Sequence, residues 1–222
     1  MVERHSFRSG PVTWIPSKDR KCAASAQHAA RHNRLLAALP PADFKRVLPD
    51  LEPVPLPLGW TVHGDGDREN FLYFLTAGIV CRFYFSESGE STEFAITGRE
   101  GVIGIPSFLG GGNMPSQAVV VVGAGYAYRL KAQLLKGEFD RGGSMQHLLL
   151  RYTQALLTQV AQTAVCNRHH SLDQQFCRWL LRSLDCLPSN DLTMTQELIT
   201  NMLGVRREGA SRRSQDDCRM PV

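Results

Sequence analysis

The fifteen residues FLYFLTAGIVCRFYF (71–85) decide how this chain is read. Eleven of them are aromatic, β-branched or leucine, no proline interrupts them, and one glycine, Gly78, stands in the middle. A run so rich in Phe, Tyr, Ile and Val reads as β-structure. Two more runs of the same character follow, STEFAIT (91–97) and AVVVVGAGYAYRL (118–130). Glycine-bearing turns separate them, with HGDGD before the first, SESGE and TGREG between, and LGGGN before the last. Short strands at this spacing predict a closed β-roll or jelly roll of about 80 residues, whose interior can take a ligand. Upstream, the proline-punctuated LEPVPLPLGW (51–60) suits an edge strand, and Pro41-Ala42-Asp43 suits a helix start.

Downstream the period changes. Residues 142–170 place Met145, Leu149, Tyr152, Leu156, Gln159, Thr163 and Cys166 at alternating spacings of four and three, a heptad seam after two glycines. The seam predicts a self-pairing helix. Leu148, Ala155 and Val160 widen the apolar face enough that a helix packed on its own roll fits too. A further helix over 171–187 has Ser171 as N-cap and Phe176, Leu180 and Leu184 on one side. In TQELITNMLGVRREGASR (195–212), Thr195 caps a helix that buries Leu198, Ile199, Met202 and Leu203. Gly204 turns the chain, and Arg206, Arg207 and Glu208 open a second helix, with Arg212 one turn on. Those are the positions from which a helix-turn-helix reads base edges, arginine suiting guanine and glutamate suiting cytosine.

The order of these parts resembles the Crp/Fnr family of bacterial transcription regulators over about residues 33–213. Gly66-Asp67, Tyr73 and Gly78 match the family's G-D-x5-Y-x4-G, Glu100–Gly104 is similar to its turn before the ligand cassette, and 195–208 is similar to its DNA-reading signature. The resemblance implies an α+β fold: an N-terminal β-roll, a long dimerisation helix and a partial winged helix-turn-helix. It divides the chain into a basic disordered leader (1–30), a cyclic-nucleotide-binding-like sensor (31–140), a dimerisation helix (141–170) and a truncated DNA-binding unit (171–222). It gives Arg207, Glu208 and Arg212 the DNA contacts, beside Arg206 from the helix-turn-helix reading, and it places an effector pocket at Gly104, Ile105, Ser116 and Gln117.

Two departures qualify that reading. Cyclic-nucleotide members carry a Gly-Glu at the cassette start, for the ribose hydroxyl, and an Arg-Ser-Ala further on, for the cyclic phosphate. Here Ile105 stands for the glutamate, and Ser116 or Gln117 stands for the arginine. A phosphate entering a partly buried cavity without a cation loses hydration that nothing replaces, so no tight cyclic-nucleotide binding is expected. The family's iron–sulfur members need several N-terminal cysteines where this chain has Cys22, and His63 and Cys81 give no case for haem. The effector is left as an unknown small molecule.

The second departure is C-terminal. After Arg212 come ten residues, with no apolar stripe from Ala210 onward and with Asp216 and Asp217 opposing phosphate. Loss of pattern inside a helix suggests a reading-frame shift, and with it weak or lost binding to double-stranded DNA.

Composition is ordinary for a globular protein, and its charge is weak evidence for a nucleic-acid groove. The net charge is 25 − 21 = +4, and residues 1–34 hold seven Lys/Arg against two acids, a net +5, so the positive total lives in the leader. The leader has no signal-peptide core, no apolar run is long enough for a membrane span, and a cytoplasmic homodimer follows as the expectation. Six scattered cysteines without Cys-x-x-Cys spacing read as structural thiols, with no metal site. A metal-dependent β-roll enzyme would need His and Glu ligands on adjacent strands, and of seven histidines only His63 lies among the β-runs. The chain therefore reads as no enzyme. The alternative function is an interaction protein that pairs with a full-length relative and silences it.

Overall fold

A computed structural model describes residues 28–85, 91–111 and 115–187. Two short helices, α1 (Arg34–Ala37) and α2 (Pro41–Val47), open it, with Pro41 at the start of the second as the fixed φ of proline favours. Asn33 caps α1 by accepting from Leu35 N and Leu36 N. Its amide also donates to the carbonyls of Leu75 and Gly101, which ties the entry helix to the sheet. A 3₁₀ turn (Leu48–Asp50) leads into the sheet.

Two strands of 15 residues each form the spine of that sheet, β3 (Phe71–Phe85) and β6 (Gln117–Lys131), paired antiparallel along their length. The short strands β1 (Glu52–Leu56) and β2 (Thr61–His63) lie along the far edge of β6. Strands β4 (Ser91–Thr97) and β5 (Val102–Ile103) lie along the far edge of β3. The proline-rich β1 is an edge strand, where a missing N–H costs least. The β3–β6 register shifts around Ala77–Val80, where Gly78 has φ +81°. A Cβ at Gly78 would meet the Gly125 Cα of β6 at 2.8 Å, so only glycine lets the two backbones close up at the bend. The bend exchanges the faces: Leu72 and Phe74 before it, and Ile79, Cys81 and Phe83 after it, look toward helices, whereas Leu75 and Val80 look into the curl.

Three apolar clusters result. The roll interior holds Leu56, Leu75, Val80, Ile103, Ala118, Val120 and Ala127. A second cluster joins α1, α2, the short α3 (Pro106–Leu109), α4 (Ala132–Asp140) and the start of α5 (Ser144–His169) to one end of the sheet, around Phe44, Phe74, Leu135 and Leu149. The third lies under α6 (Leu172–Cys186), with Trp179 and Cys186 on Cys81, Phe83 and Val121. Helix α6 begins with a reciprocal capping box between Ser171 and Gln174. The architecture is the antiparallel roll with helices that the sequence predicts.

Candidate functional site

Inside the roll, the register aligns His63 of β2, Ala118 of β6, Arg82 of β3 and Ala95 of β4 in one row across four strands. Glu69, from the turn between β2 and β3, reaches into the same place. Its Oε1 lies 3.1 Å from His63 Nε2 and 3.5 Å from Arg82 Nη1, and all three side chains are at most 7% exposed. The histidine contact is close but not aligned as a hydrogen bond. Ser116, two residues before Ala118, is also buried, with no partner for its hydroxyl.

Burial governs the charge states here. It lowers His63 to about 3, and the positive charge of Arg82 pushes the same way, so the imidazole is neutral. Burial also raises Glu69 above the usual carboxylate range, outweighing the opposite pull of Arg82. The end of the roll is thus a dehydrated ion pair beside a neutral imidazole and a free hydroxyl, able to hydrogen-bond a small polar guest. Among the described residues no group of three or more His, Cys, Asp or Glu is placed to hold a metal.

The predicted pocket residues divide between two places. Gly104, with φ +110°, could not carry a Cβ, which would meet the Phe71 carbonyl at 2.8 Å. Ile105, at the glutamate position of the cassette, packs in the cluster with Leu72, Phe74 and Phe108. Ser116 and Gln117 lie at the other end, where β6 begins, Gln117 paired with Phe83. Arg82 and Glu69 were not singled out from sequence, although a lone arginine inside an apolar strand run was the signal available.

The long helix differs from its predicted role. Met145 and Leu149 are buried in the cluster with Phe74 and Leu135, and Thr163, which accepts from Arg178 of α6, and Cys166 are buried further along. Tyr152 lies 3.3 Å from the Thr97 hydroxyl, Gln159 Oε1 accepts from Ile96 N, and Leu156 packs beside the N-terminal helices. The heptad seam is therefore the inward face, the second of the two arrangements the sequence allowed. Outward stand Leu150, Leu157 and Val165, 45%, 60% and 58% exposed, with Ala161 and Ala164 between them. Arg206, Arg207, Glu208 and Arg212 lie outside the described residues, as does the 1–27 part of the leader. No described helix is long and apolar enough to cross a membrane.

No protein family's sequence profile matches the chain, and no curated protein matches it in sequence. Solved structures do share its fold. A protein described as a transcriptional regulator of the Crp/Fnr family, from Eubacterium rectale, superimposes with a TM-score of 0.66 at 18% identity, over 82% of this chain and 85% of that one. FixK2 from Bradyrhizobium japonicum gives 0.62 at 15% identity, over 74% and 83%. The c-di-GMP-responsive global regulator CLP of Xanthomonas campestris gives 0.60 at 16%, over 77% and 88%. The chain has the fold of Crp/Fnr regulators, a cyclic-nucleotide-binding type of jelly roll with its helices.

Proposed function

We propose that this chain is a transcriptional regulator of the Crp/Fnr type, not an enzyme, in which an effector-sensing roll is coupled to a C-terminal DNA-reading unit in a homodimer. One observation carries the reading. The roll is followed, after the short α4, by a 26-residue helix that keeps one face on the protein's own core and turns a second apolar stripe, Leu150–Leu157–Val165, away from it. Two such helices packed along that stripe, with Ala161 and Ala164 permitting close approach, would set paired reading heads about one DNA turn apart, ~34 Å. The reading heads in this proposal are the stretches carrying Arg206, Arg207, Glu208 and Arg212.

The effector is a small polar molecule received beside Arg82, Glu69, His63 and Ser116, and no cyclic nucleotide, haem or iron–sulfur cluster is required. Arg82 is a buried cation, but Glu69 already engages it, and Ile105 offers a ribose no acceptor. Binding to double-stranded DNA is weak and little dependent on sequence. The residues after Ala210 carry no apolar periodicity to hold a recognition helix in place, and Asp216 and Asp217 repel phosphate.

Fluorescence anisotropy tests this with the full chain, a random-sequence duplex and the tightest duplex from a selected pool. The expected outcome is binding to both that weakens steeply with salt and differs less than about tenfold between them. Tight selective binding would overturn the weak-binding part, and no DNA binding at low salt would overturn the regulator reading.

A further inference from the structure

Helix α6 is the last described element before the Thr193–Arg213 stretch, and a buried carboxyl group lies beneath its seat on the roll. Glu93 stands on β4 on the helix-facing side of the sheet, opposite Phe83, and is 6% exposed. Trp179 Nε1 of α6 donates to its Oε2 at 2.7 Å, a buried contact between residues 86 apart in the chain. Around them α6 is seated on apolar surface from Cys81, Phe83, Ile96 and Val121. A lone carboxyl under that seat is unusual, because burial charges it a desolvation penalty that an apolar residue would not meet.

We propose that Glu93 is a proton-operated catch, which holds α6 on the roll when protonated and loosens it when ionised. The groups facing the carboxyl are few. From β3 comes the Cys81 thiol, itself buried and pushed well above its usual range, so it is a neutral weak donor. From α6 come the Trp179 indole and, further off, the Arg178 guanidinium, which is directed to Thr163 of α5 at 3.3 Å. The neighbouring Cys186 thiol and the Arg182 guanidinium belong to Glu100, at 3.5 and 3.3 Å. Two neutral donors and one distant cation do not replace the water that α6 excludes.

Burial accordingly raises Glu93 to about 7, against the pull of Cys81, Trp179 and Arg178. Once α6 lifts, water returns and the group goes back toward its ordinary 4.5. The raised value belongs to the docked state, so docking is favoured in acid and weakens as pH rises from 4.5 toward 7. Between about pH 5.5 and about pH 8.5 the docking constant falls about thirtyfold by linkage. The catch operates whether or not the chain reads DNA, and its test uses none.

The experiment is a pH titration of the full chain with Trp14→Phe and Trp60→Phe in the background, so that Trp179 alone fluoresces. Infrared difference spectra of the carboxylic-acid C=O stretch follow Glu93 in the wild type and in Glu69→Gln, which removes the other buried carboxyl raised by burial. The expected result is loss of a buried carboxylic-acid band near pH 7, accompanied by a change in Trp179 emission toward a wetter environment. Both are absent in Glu93→Gln, whose amide keeps an acceptor for the indole and cannot ionise. The proposal is overturned if no carboxyl group titrates near neutrality in the wild type, or if the emission change persists in Glu93→Gln. The infrared arm stands even if that variant does not fold.

Discussion

At the scale of single residues, the roll interior is governed by a charge pair that has almost no water. Removing one partner strands the other, so Arg82→Met is expected to cost about 3–5 kcal/mol of unfolding free energy. The joint replacement of Arg82 and Glu69 by methionine should recover most of that loss, and urea denaturation of the three proteins measures both steps. His63 adds a pH dependence of known sign. Its folded value, about 3, lies below the ordinary 6.5. Its neutral burial is therefore fully compatible with the fold above 6.5 and becomes a liability as pH falls from 6.5 toward 3. Acid denaturation of His63→Gln should show a shallower loss of stability across that window than the wild type. A parallel curve would mean that the imidazole is hydrated. These residues were only partly legible in the sequence. Gly104 and Ser116 stood at positions that the family resemblance marks. Arg82, Glu69 and Glu93 lie in apolar strand runs or a polar turn, and nothing in a linear pattern says which side of a bent strand each occupies.

At the scale of elements, the strands and helices were largely readable. The run 71–85 is one strand from end to end, 118–130 is β6 to within a residue at either end, and the predicted N-cap Ser171 caps α6. The sequence marked Gly78 only as a position of the family resemblance, and neither the bend there nor the exchange of faces it causes was readable. The orientation of α5 was not readable, and the reason is in its composition. Leu148, Leu149 and Leu150 are consecutive and Leu156 and Leu157 are adjacent, so a heptad line drawn through either leucine of a pair looks apolar. Only contact with the sheet separates Leu149, which is 1% exposed, from Leu157, which is 60% exposed. Leu149→Ala should therefore lose about 2–5 kcal/mol of stability through an internal cavity. Leu157→Ala should fall within about 0.5 kcal/mol in a dilute, unpaired sample, as surface substitutions do. Thermal or urea melts of the two single variants check the contrast; equal losses would mean that both faces are covered within one chain.

At the scale of the whole molecule, the roll, the long helix and α6 form a chain of contacts from an interior polar site to the last described helix. Asn33 bridges the entry helix to Leu75 and Gly101, Gln159 joins α5 to β4, and Trp179 joins α6 to Glu93 on that same strand. Strand β4 therefore touches the interior through Ala95, beside Arg82, and both helices through Ile96 and Glu93. A guest that displaced Arg82 would press on the strand that seats α5 and α6, which is a physical route for a sensor to move a reading head. In the proposed dimer, the two outward stripes would fix one copy against the other and give that route regulatory meaning.

Sedimentation velocity of the full chain and of Leu150→Glu/Leu157→Glu, across micromolar concentrations, addresses the pairing directly. The wild type should sediment as a dimer, and the double variant as a monomer with an unchanged far-ultraviolet spectrum. A wild type that stays monomeric at every concentration, or a dimer that survives two glutamates on the stripe, would contradict the account.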